Sequence, residues 1–305
     1  MVRFQRMCDG LVWLGLCLFL FGCENRDLDA VGETETPLVI LLSPFHGADA
    51  QQLELLTNYI EAETGMSITV RVAASEEVAV SIAGTYQFDI GMLPLFDYLF
   101  CHREYRVEAG LQVLREGGAR TYRGQILVQA DSDITEIAQL EGKRIAYVDS
   151  FSTSGFLFPA SLLINADVTP VAVFAGTHDL AVSQLREGDV DSAATYEGFA
   201  ADSTDLRSIA TTDEIPNEPV FFRADLAVEI RERVIEALVG FSQTDDGQHV
   251  LSHIADITGF VAVTDADYAE VEAVINTAGQ TVQDLVPNGW WTYNENRLTP
   301  ADYAP

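Results

Sequence analysis

Hydrophobic residues along the chain follow two kinds of pattern, short strand-like runs and longer helix-like segments. Residues 37–42 form a continuous apolar run, residues 67–73 alternate between apolar and polar positions, and residues 88–93 are a further strand-like stretch. Both patterns are typical of strands, and the continuous one is typical of strands buried on both faces of a sheet. Helical spacing at 49–63 and 75–83 separates them. This order predicts a parallel sheet with crossover helices.

The same order returns further along the chain. Strand-like runs at 144–148, 171–174 and 192–196 alternate with helix-like segments at 156–164 and 180–186. This second series predicts another sheet covered by helices. Three further helical stretches follow, at 228–243, 248–257 and 266–285.

The chain is long enough for two lobes. Its 305 residues exceed the usual size of a single core, and a hydrophobic content of 48% is ample for two. The segment that begins at Tyr122 predicts the first crossing between lobes, and 213–216 predicts the return. Lobe one is then expected at 37–121 and 213–305, and lobe two at 122–212. Two crossings of this kind form a hinge.

One junction between a strand and a helix carries three hydroxyl side chains. Ser152, Thr153 and Ser154 are followed by Gly155, directly after the apolar run 144–148. Hydroxyl groups and free backbone N–H groups at a helix N-terminus favour a small anion, because the helix dipole is positive there. Serine and threonine are also ordinary N-cap residues, so a purely structural role is the alternative.

Other polar residues also follow predicted strands. His178 lies after the run 171–174, and an imidazole can donate a hydrogen bond to an anion, although a structural histidine is the simpler interpretation from the residues alone. His46 and Ser75 follow strands of the first sheet. Because ligands of such sheets lie beyond the carboxyl ends of the strands, both are expected to face a cleft.

The hydroxyl junction belongs to a longer series of motifs. They are YRGQILV at 122–128, EGKRIAYVDSFSTSGF at 141–156, GTHD at 176–179, GDVD at 188–191 and IPNEPV at 215–220. In order and spacing this series resembles the phosphate-, phosphite- and phosphonate-binding proteins of ABC importers. The resemblance extends from about residue 37 to residue 256 and is most specific in the middle.

The resemblance implies an α/β fold of the two-lobed type II periplasmic-binding-protein class, with a hinge and an interlobe cleft. It also implies a small phosphorus oxyanion as ligand, an ABC permease of the inner membrane as partner, and no cofactor. An ammonium group of the ligand would be received by an acidic residue, and Glu197 is the candidate, with a solvated loop carboxylate as the alternative. The oxyanion contacts implied are Ser152, Thr153, Ser154, His178 and the hydroxyl of Tyr122.

The chain departs from the family in lobe one. Phosphonate binders tend to have a tyrosine early in the helix after the second strand, whereas this chain has Ser75, Glu76 and Glu77. The choice among phosphate, phosphite, methylphosphonate and aminophosphonates therefore stays open. A carboxylate at this point would favour a ligand with a cationic tail, and Ser75 would suit a small compact anion.

The first residues have the features of a signal peptide. Arg3 and Arg6 precede an apolar segment at 11–22, which is too short to span a bilayer. The sequence LFGC that ends at Cys23 resembles a lipobox, so we expect cleavage after residue 22 and lipidation of Cys23, with ordinary secretion as the alternative. Residues 23–36 would then form a polar linker, and the lipid would be the only contact with the membrane.

The charge excludes some partners. A formal net charge of -30 repels nucleic acid and anionic membranes, so neither is an expected partner. Because the overall field opposes an anion, binding an anion would depend on local donors. After removal of residues 1–22 only Cys23 and Cys101 remain, and Cys101 is expected to be a buried apolar residue. The mature protein is expected to be extracytoplasmic and monomeric.

Motifs of an enzyme are absent from the sequence. It contains no Gly-x-Ser-x-Gly elbow, no phosphate-binding Gly-x-x-x-x-Gly-Lys loop and no His-Glu-x-x-His, and its five histidines lack zinc-ligand spacing. We therefore expect a binding protein with no metal and no catalytic residue. The alternative function is a sensor or carrier of the same fold that binds an organic solute outside the cytoplasm.

Overall fold

A computed structural model describes residues 30–44, 47 and 49–271, without the side chain of Glu77. The predicted signal peptide, Cys23 and His46 lie outside the described residues. So do most of the predicted helix 266–285 and the C-terminal tail.

The described elements follow the predicted order. The strands are β1 (Leu38–Leu42), β2 (Ile68–Val72), β3 (Ile90–Met92), β4 (Glu108–Leu114), β5 (Thr121–Gln129), β6 (Arg144–Tyr147), β7 (Val171–Phe174), β8 (Ser192–Tyr196), β9 (Leu206–Pro216), β10 (Pro219–Phe222) and β11 (Gly259–Ala262). The helices are α1 (Ala50–Thr64), α2 (Glu76–Gly84), α3 (Leu95–Tyr105), α4 (Phe158–Asn165), α5 (His178–Glu187), α6 (Val228–Phe241) and α7 (Asp245–Ala255).

The described strands form two sheets, one in each lobe. The sheet of lobe one has the order β11-β4-β10-β3-β1-β2, and the sheet of lobe two has the order β7-β6-β8-β5-β9. In lobe one β1 is parallel to β2 and β3, and in lobe two β6 is parallel to β7 and β8. Helices connect these parallel strands, as a crossover requires. The carboxyl ends of the strands therefore face one edge in each lobe.

The continuous apolar run at β1 is explained by burial on both faces. Leu38, Ile40 and Leu42 pack in one apolar cluster with α1, whereas Leu41 belongs to a second cluster that includes α3. Cys101 of α3 lies in this second cluster and is fully buried, so the prediction of a buried apolar cysteine is confirmed. Truncating such a core residue to alanine typically costs about 2–5 kcal/mol.

The two crossings between the lobes lie side by side. Residues 115–120 connect β4 to β5, and residues 217–218 connect β9 to β10. Asn217 is fully buried between them. Its amide nitrogen donates to the carbonyl groups of Val113, at 3.0 Å, and Ala119, at 2.9 Å. One side chain thus holds the two crossings together.

Three details differ from the sequence-based expectations. β9 is a single strand that ends at Pro216, so the return expected at 213 lies inside it. β11 was not predicted, because four residues at a sheet edge give too short a pattern. Residues 30–36 are not a free linker, since Val31 is buried against lobe one and Gly32 accepts a hydrogen bond from the backbone N–H of Ser67.

Candidate ligand-binding cleft

A cavity of about 460 Å³ is lined by residues of both lobes. This volume lies in the range of sites that hold small molecules, about 300–1,000 Å³. Lobe two contributes Tyr122, Ser152, Thr153, Ser154 and His178, and these are five of the six residues that the resemblance implies as ligand contacts. Tyr122 lies on β5, the three hydroxyl residues follow β6, and His178 follows β7. The fold brings them together because β6 and β7 are neighbours in one sheet and only β8 separates β6 from β5. Lobe one and the crossings contribute Ser43, Glu76, Arg115 and Glu218.

The hydroxyl junction is a single turn of π-helix, Thr153–Leu157, that leads directly into α4. The N–H of Leu157 donates to the carbonyl of Ser152 at 3.0 Å, and the N–H of Gly155 donates to the Ser152 hydroxyl oxygen at 3.0 Å. Ser152 is therefore an N-cap, as the structural alternative proposed. Its hydroxyl hydrogen is still available to a ligand, because the cap uses only the oxygen as acceptor.

Gly155 is required by the packing of this turn. A Cβ at this position would lie 2.4 Å from Cγ2 of Val148, just beyond the end of β6. The carbonyl of Gly155 also accepts a hydrogen bond from the N–H of Val148 at 3.1 Å. The missing side chain lets the turn lie against the end of the strand, with Thr153 and Ser154 in the cavity wall.

The hydroxyl groups beyond the cap are buried beside a tyrosine. Thr153 and Ser154 are each 5% exposed. Burial raises the pKa of Tyr122 to about 12; the Glu218 carboxylate adds to this effect, and hydrogen bonds with Thr153 and Ser154 oppose it. Tyr122 is therefore a neutral phenol at physiological pH. Its O–H and the two hydroxyl groups form a cluster of neutral donors.

His178 occupies the first position of α5, which Thr177 caps. Its Nδ1 lies 2.7 Å from the hydroxyl of Thr195 on β8, so Nε2 is the nitrogen left for a ligand. Burial lowers the pKa of His178 to about 4, although the carboxylate of Asp179 acts in the opposite direction. The imidazole is therefore neutral at pH 7. If Thr195 donates to Nδ1, Nε2 carries the proton and is a hydrogen-bond donor.

Glu197 is the one implied contact that is not among the residues of the cavity wall. It lies in the exposed turn after β8, and its backbone N–H donates to the carbonyl of Arg123 at 2.8 Å. Its neighbour Tyr196 lines the cavity instead and packs edge-on against His178, with ring centroids 5.0 Å apart. The end of the strand was predicted correctly, but the direction of each side chain was not.

In lobe one the cavity wall contains Glu76 and not Ser75. Ser75 is the N-cap of α2, and its hydroxyl oxygen accepts a hydrogen bond from the N–H of Val78 at 3.3 Å. The expectation that Ser75 faces the cleft is therefore wrong. Glu76 is 4% exposed, and one of its carboxylate oxygens accepts a hydrogen bond of 2.7 Å from the Ser43 hydroxyl, just beyond β1.

An ion pair at the crossings completes the wall. Arg115 donates to the carboxylate of Glu218 at 2.7 Å, and its guanidinium carbon lies 6.0 Å from the ring centroid of Tyr122. The sequence interpretation selected neither residue. Glu218 lies inside the IPNEPV motif at 215–220, and this was the only available signal. Arg115 reaches the cavity only because the two crossings lie side by side.

The described residues give no sign of a metal site or a membrane span. Among them no three histidine, cysteine, aspartate or glutamate side chains are grouped so that they could hold a metal ion. None of the described helices has the length and apolar character that crossing a bilayer requires.

Comparison with known proteins identifies the family of the chain. A family model described as the periplasmic phosphonate-binding protein of an ABC transporter matches residues 42–268. The chain belongs to this family. A curated relative, the phosphate-import protein PhnD of Mycolicibacterium smegmatis, is 27% identical over 303 residues, which cover 87% of this chain and 94% of that protein.

Solved structures show that the fold is shared more widely. A Xanthomonas citri protein bound to ATP superposes with a TM-score of 0.70 at 19% identity, over 82% of this chain and 99% of that one. PhnD1 of Prochlorococcus marinus, in complex with methylphosphonate, gives a TM-score of 0.62 at 14% identity, over 79% of this chain and 98% of that one. The predicted type II periplasmic-binding-protein fold is thereby confirmed.

Membership of the family fixes the general role of the chain. It is a periplasmic substrate-binding protein of a phosphonate or phosphate ABC transporter. Proteins of this kind bind a small ligand and work with a membrane permease.

Proposed function

We propose that the cleft captures a phosphorus oxyanion against the lobe-two wall and delivers it to the permease of an ABC importer. The observation that carries this proposal is that Thr153, Ser154, Tyr122 and His178 line one cavity at the N-terminus of a helix. Each offers a neutral hydrogen-bond donor to an anion. Hydrogen bonds from neutral donors to an anion are charge-assisted and are stronger than neutral pairs.

The donors are suited to an anion in spite of the acidic surface. The chain carries a net charge of -30, so attraction over a long distance does not favour the ligand. Salt screens the repulsion between the ligand and distant surface carboxylates. Hydrogen bonds inside the cleft act at short range and are screened much less. The turn also adds the partial positive charge of a helix N-terminus.

The same geometry supports binding and not catalysis. The Ser152 hydroxyl oxygen caps Gly155, and the Nδ1 atom of His178 lies against Thr195. Among the described residues, His178 has no hydrogen bond to Ser152 or Ser154, so no serine there is paired with a general base. We therefore propose a binding protein without catalytic residues, cofactor or metal.

Calorimetric titration of the protein without residues 1–23 tests the oxyanion site. The ligands are phosphate, phosphite, methylphosphonate and 2-aminoethylphosphonate. We expect tight binding of at least one, and a loss of roughly 10- to 100-fold in Thr153→Val, which keeps the shape but removes a charge-assisted hydrogen bond.

Ser161→Ala is the matched control for that variant. Ser161 is a buried hydroxyl on α4, it is not part of the cavity wall, and its Oγ has no hydrogen-bond partner among the described residues. Its loss should leave affinity unchanged. If a folded protein binds none of the four ligands, the turn is a helix cap only and the oxyanion proposal fails.

We also propose that the mature chain is a monomer tethered through lipid at Cys23. The support is the sequence LFGC at 20–23 after a short apolar segment. Cell fractionation should find the protein with membranes, and Cys23→Ser should release it to the soluble periplasmic fraction. Ordinary secretion would give a soluble protein in both cases.

A sensor or carrier of an organic solute is the second candidate function. The cavity wall also contains apolar and aromatic residues, among them Leu93, Phe151 and Phe199. Such a wall can bind an organic group. Tight binding of an organic solute without phosphorus, together with no response to the four oxyanions, would favour this function.

A further inference from the structure

Three ring side chains of lobe two meet at one side of the cavity, and all three belong to its wall. The ring centroid of Tyr196 lies 5.0 Å from that of His178 and 5.2 Å from that of Phe199, and the centroids of His178 and Phe199 are 5.7 Å apart. The Tyr196 ring is steeply inclined to both others, at 74° and 81°. His178, Tyr196 and Phe199 thus form a corner of rings, the aromatic corner.

The turn after β8 is held in the shape that presents two of these rings. Gln125 is 6% exposed, and its Nε2 donates to the carbonyl of Tyr196 at 2.9 Å and to the carbonyl of Phe199 at 3.1 Å. Ala200, the next residue, has a φ of 59°, a left-handed conformation that residues with a Cβ adopt infrequently. Such a backbone persists only where the surroundings hold it, and it is concentrated at ligand sites. The aromatic corner is therefore a preformed part of lobe two.

The aromatic corner leaves apolar surface for a ligand to cover. Tyr196 is 41% exposed, and Phe199 is half-buried. A single exposed ring on a protein surface needs no explanation. Here the rings are grouped in the wall of a cleft, and aromatic side chains in a concave wall are typical of sites that bind the apolar part of a small molecule.

The aromatic corner lies next to the proposed oxyanion site. His178 belongs to both, because its Nε2 is left for an anion while its ring packs against Tyr196. A group bonded to phosphorus could therefore contact Tyr196 and Phe199 while the oxyanion stays at His178. The cavity has room for such a group, since 460 Å³ is many times the space of a water molecule, about 30 Å³. Lobe closure would not alter the aromatic corner, because all its residues are in lobe two.

We propose that the aromatic corner binds an apolar, ring-sized substituent on phosphorus, so that the preferred ligand is an arylphosphonate and not phosphate or methylphosphonate. This inference rests on the proposed function, since the donors of lobe two must hold the oxyanion. The hydroxyl groups and His178 then anchor the ligand, and Tyr196 and Phe199 select its substituent.

Two ligands that differ only in the group bonded to phosphorus test the proposal. We expect calorimetry to show that phenylphosphonate binds roughly 10- to 100-fold more tightly than methylphosphonate, because the ring is removed from water. Phe199→Ala should reduce phenylphosphonate affinity roughly 5- to 20-fold and change methylphosphonate affinity less than about 3-fold. Phe199→Leu, which keeps an apolar side chain, should retain part of the preference.

Controls separate the possible failures. Tyr86→Ala removes an exposed ring of lobe one that is not part of the cavity wall, and it should leave both affinities unchanged. Equal affinity of the wild type for both ligands, or tighter binding of methylphosphonate, would overturn the role of the aromatic corner and leave the oxyanion site intact. An equal loss of both ligands in Phe199→Ala would also overturn it, because it would show a structural role. If neither ligand binds to the wild type, the proposed function fails, and this inference fails with it.

Discussion

The two walls of the cleft are built from the same element and carry opposite chemistry. On each wall a helix begins just beyond a parallel strand. In lobe two the first turn carries the hydroxyl groups of Thr153 and Ser154, whereas in lobe one the first residue of α2 is Glu76. Both helix ends have unsatisfied N–H groups. In lobe one the helix begins with a carboxylate that accepts a hydrogen bond from the Ser43 hydroxyl, and in lobe two the helix end presents hydroxyl groups in the cavity wall.

This difference gives the two walls different hydrogen-bonding chemistry within one fold. A helix N-terminus attracts an anion from solution only if the chain does not provide one itself. Exchanging hydroxyl groups for a carboxylate turns a wall of donors into a wall of acceptors. The following variants break one wall or the other, beginning with the largest expected effect.

Gly155→Ala should disrupt the lobe-two wall as a whole. The added Cβ would lie 2.4 Å from Val148, so the turn must move away from β6. We expect a destabilisation of about 1–3 kcal/mol from overpacking and roughly a 100-fold loss of oxyanion affinity. Chemical denaturation and calorimetry measure the two effects. Gly259→Ala is the control, because its Cβ would have ordinary contacts, the nearest at 3.7 Å. Unchanged affinity in Gly155→Ala would contradict this role of the turn.

Arg115→Met should leave a carboxylate without its positively charged partner on the lobe-one side of the cleft. The change leaves Glu218 without its 2.7 Å partner in a partly buried position. We expect a stability loss of about 1–3 kcal/mol, between the values for exposed and buried pairs, and weaker binding of any anion. The double variant Arg115→Met/Glu218→Gln should recover most of the loss in denaturation experiments. Additive losses would mean that the two residues act independently.

Tyr122→Phe should weaken the donor cluster without disturbing the packing of the ring. One hydrogen bond is lost, so oxyanion affinity should fall roughly 5- to 10-fold, with little change in thermal stability. Because the pKa of Tyr122 is raised to about 12, binding by the wild type should also show no loss from ionisation of this phenol up to pH 10. A change in oxyanion affinity with a midpoint near pH 9, present in the wild type and absent in Tyr122→Phe, would contradict the raised pKa of Tyr122.

His178 should give the protein a small dependence of stability on pH. Its pKa is about 4 in the folded chain and near 6.5 when unfolded, so between these values the unfolded state binds more protons. Stability therefore falls as the pH decreases from about 6.5 to 4. Because His178 is partly exposed, solvent reduces the effect, and we expect the free energy of unfolding to fall by about 1 kcal/mol between pH 7 and pH 5. His178→Gln should remove this component in urea denaturation. An identical pH dependence in both proteins would show that other groups cause it.

The fold and the residues of the lobe-two wall could be predicted from the sequence, whereas most residues of the remaining wall could not. Ser152, Thr153, Ser154, Tyr122 and His178 were selected through the resemblance to the family. The three hydroxyl residues and His178 also follow parallel strands, whose carboxyl ends lie at one edge of the sheet. The hydrophobic pattern indicates the order of strands and helices, and the resemblance is what pointed to these particular side chains.

The remaining wall residues depend on features that a pattern does not contain. Arg115 and Glu218 meet because the two crossings lie side by side, a contact between residues 103 positions apart. Ser75 and Glu76 are neighbours, and only the exact first residue of α2 decides which one caps the helix and which one enters the wall. Glu197 was placed in the cleft although Tyr196 occupies that position, since one residue at the end of a strand reverses the side chain.

The arrangement of the chain also has a consequence for the order of folding. Lobe two is one uninterrupted segment, residues 121–216, so all five of its strands are available once that segment has emerged. The sheet of lobe one needs β10 at an interior position, between β4 and β3, and β10 comes from the far side of the inserted lobe. Local contacts form sooner than distant ones. Lobe two should therefore acquire protection from amide exchange first, and lobe one should fold around a partner that is already complete.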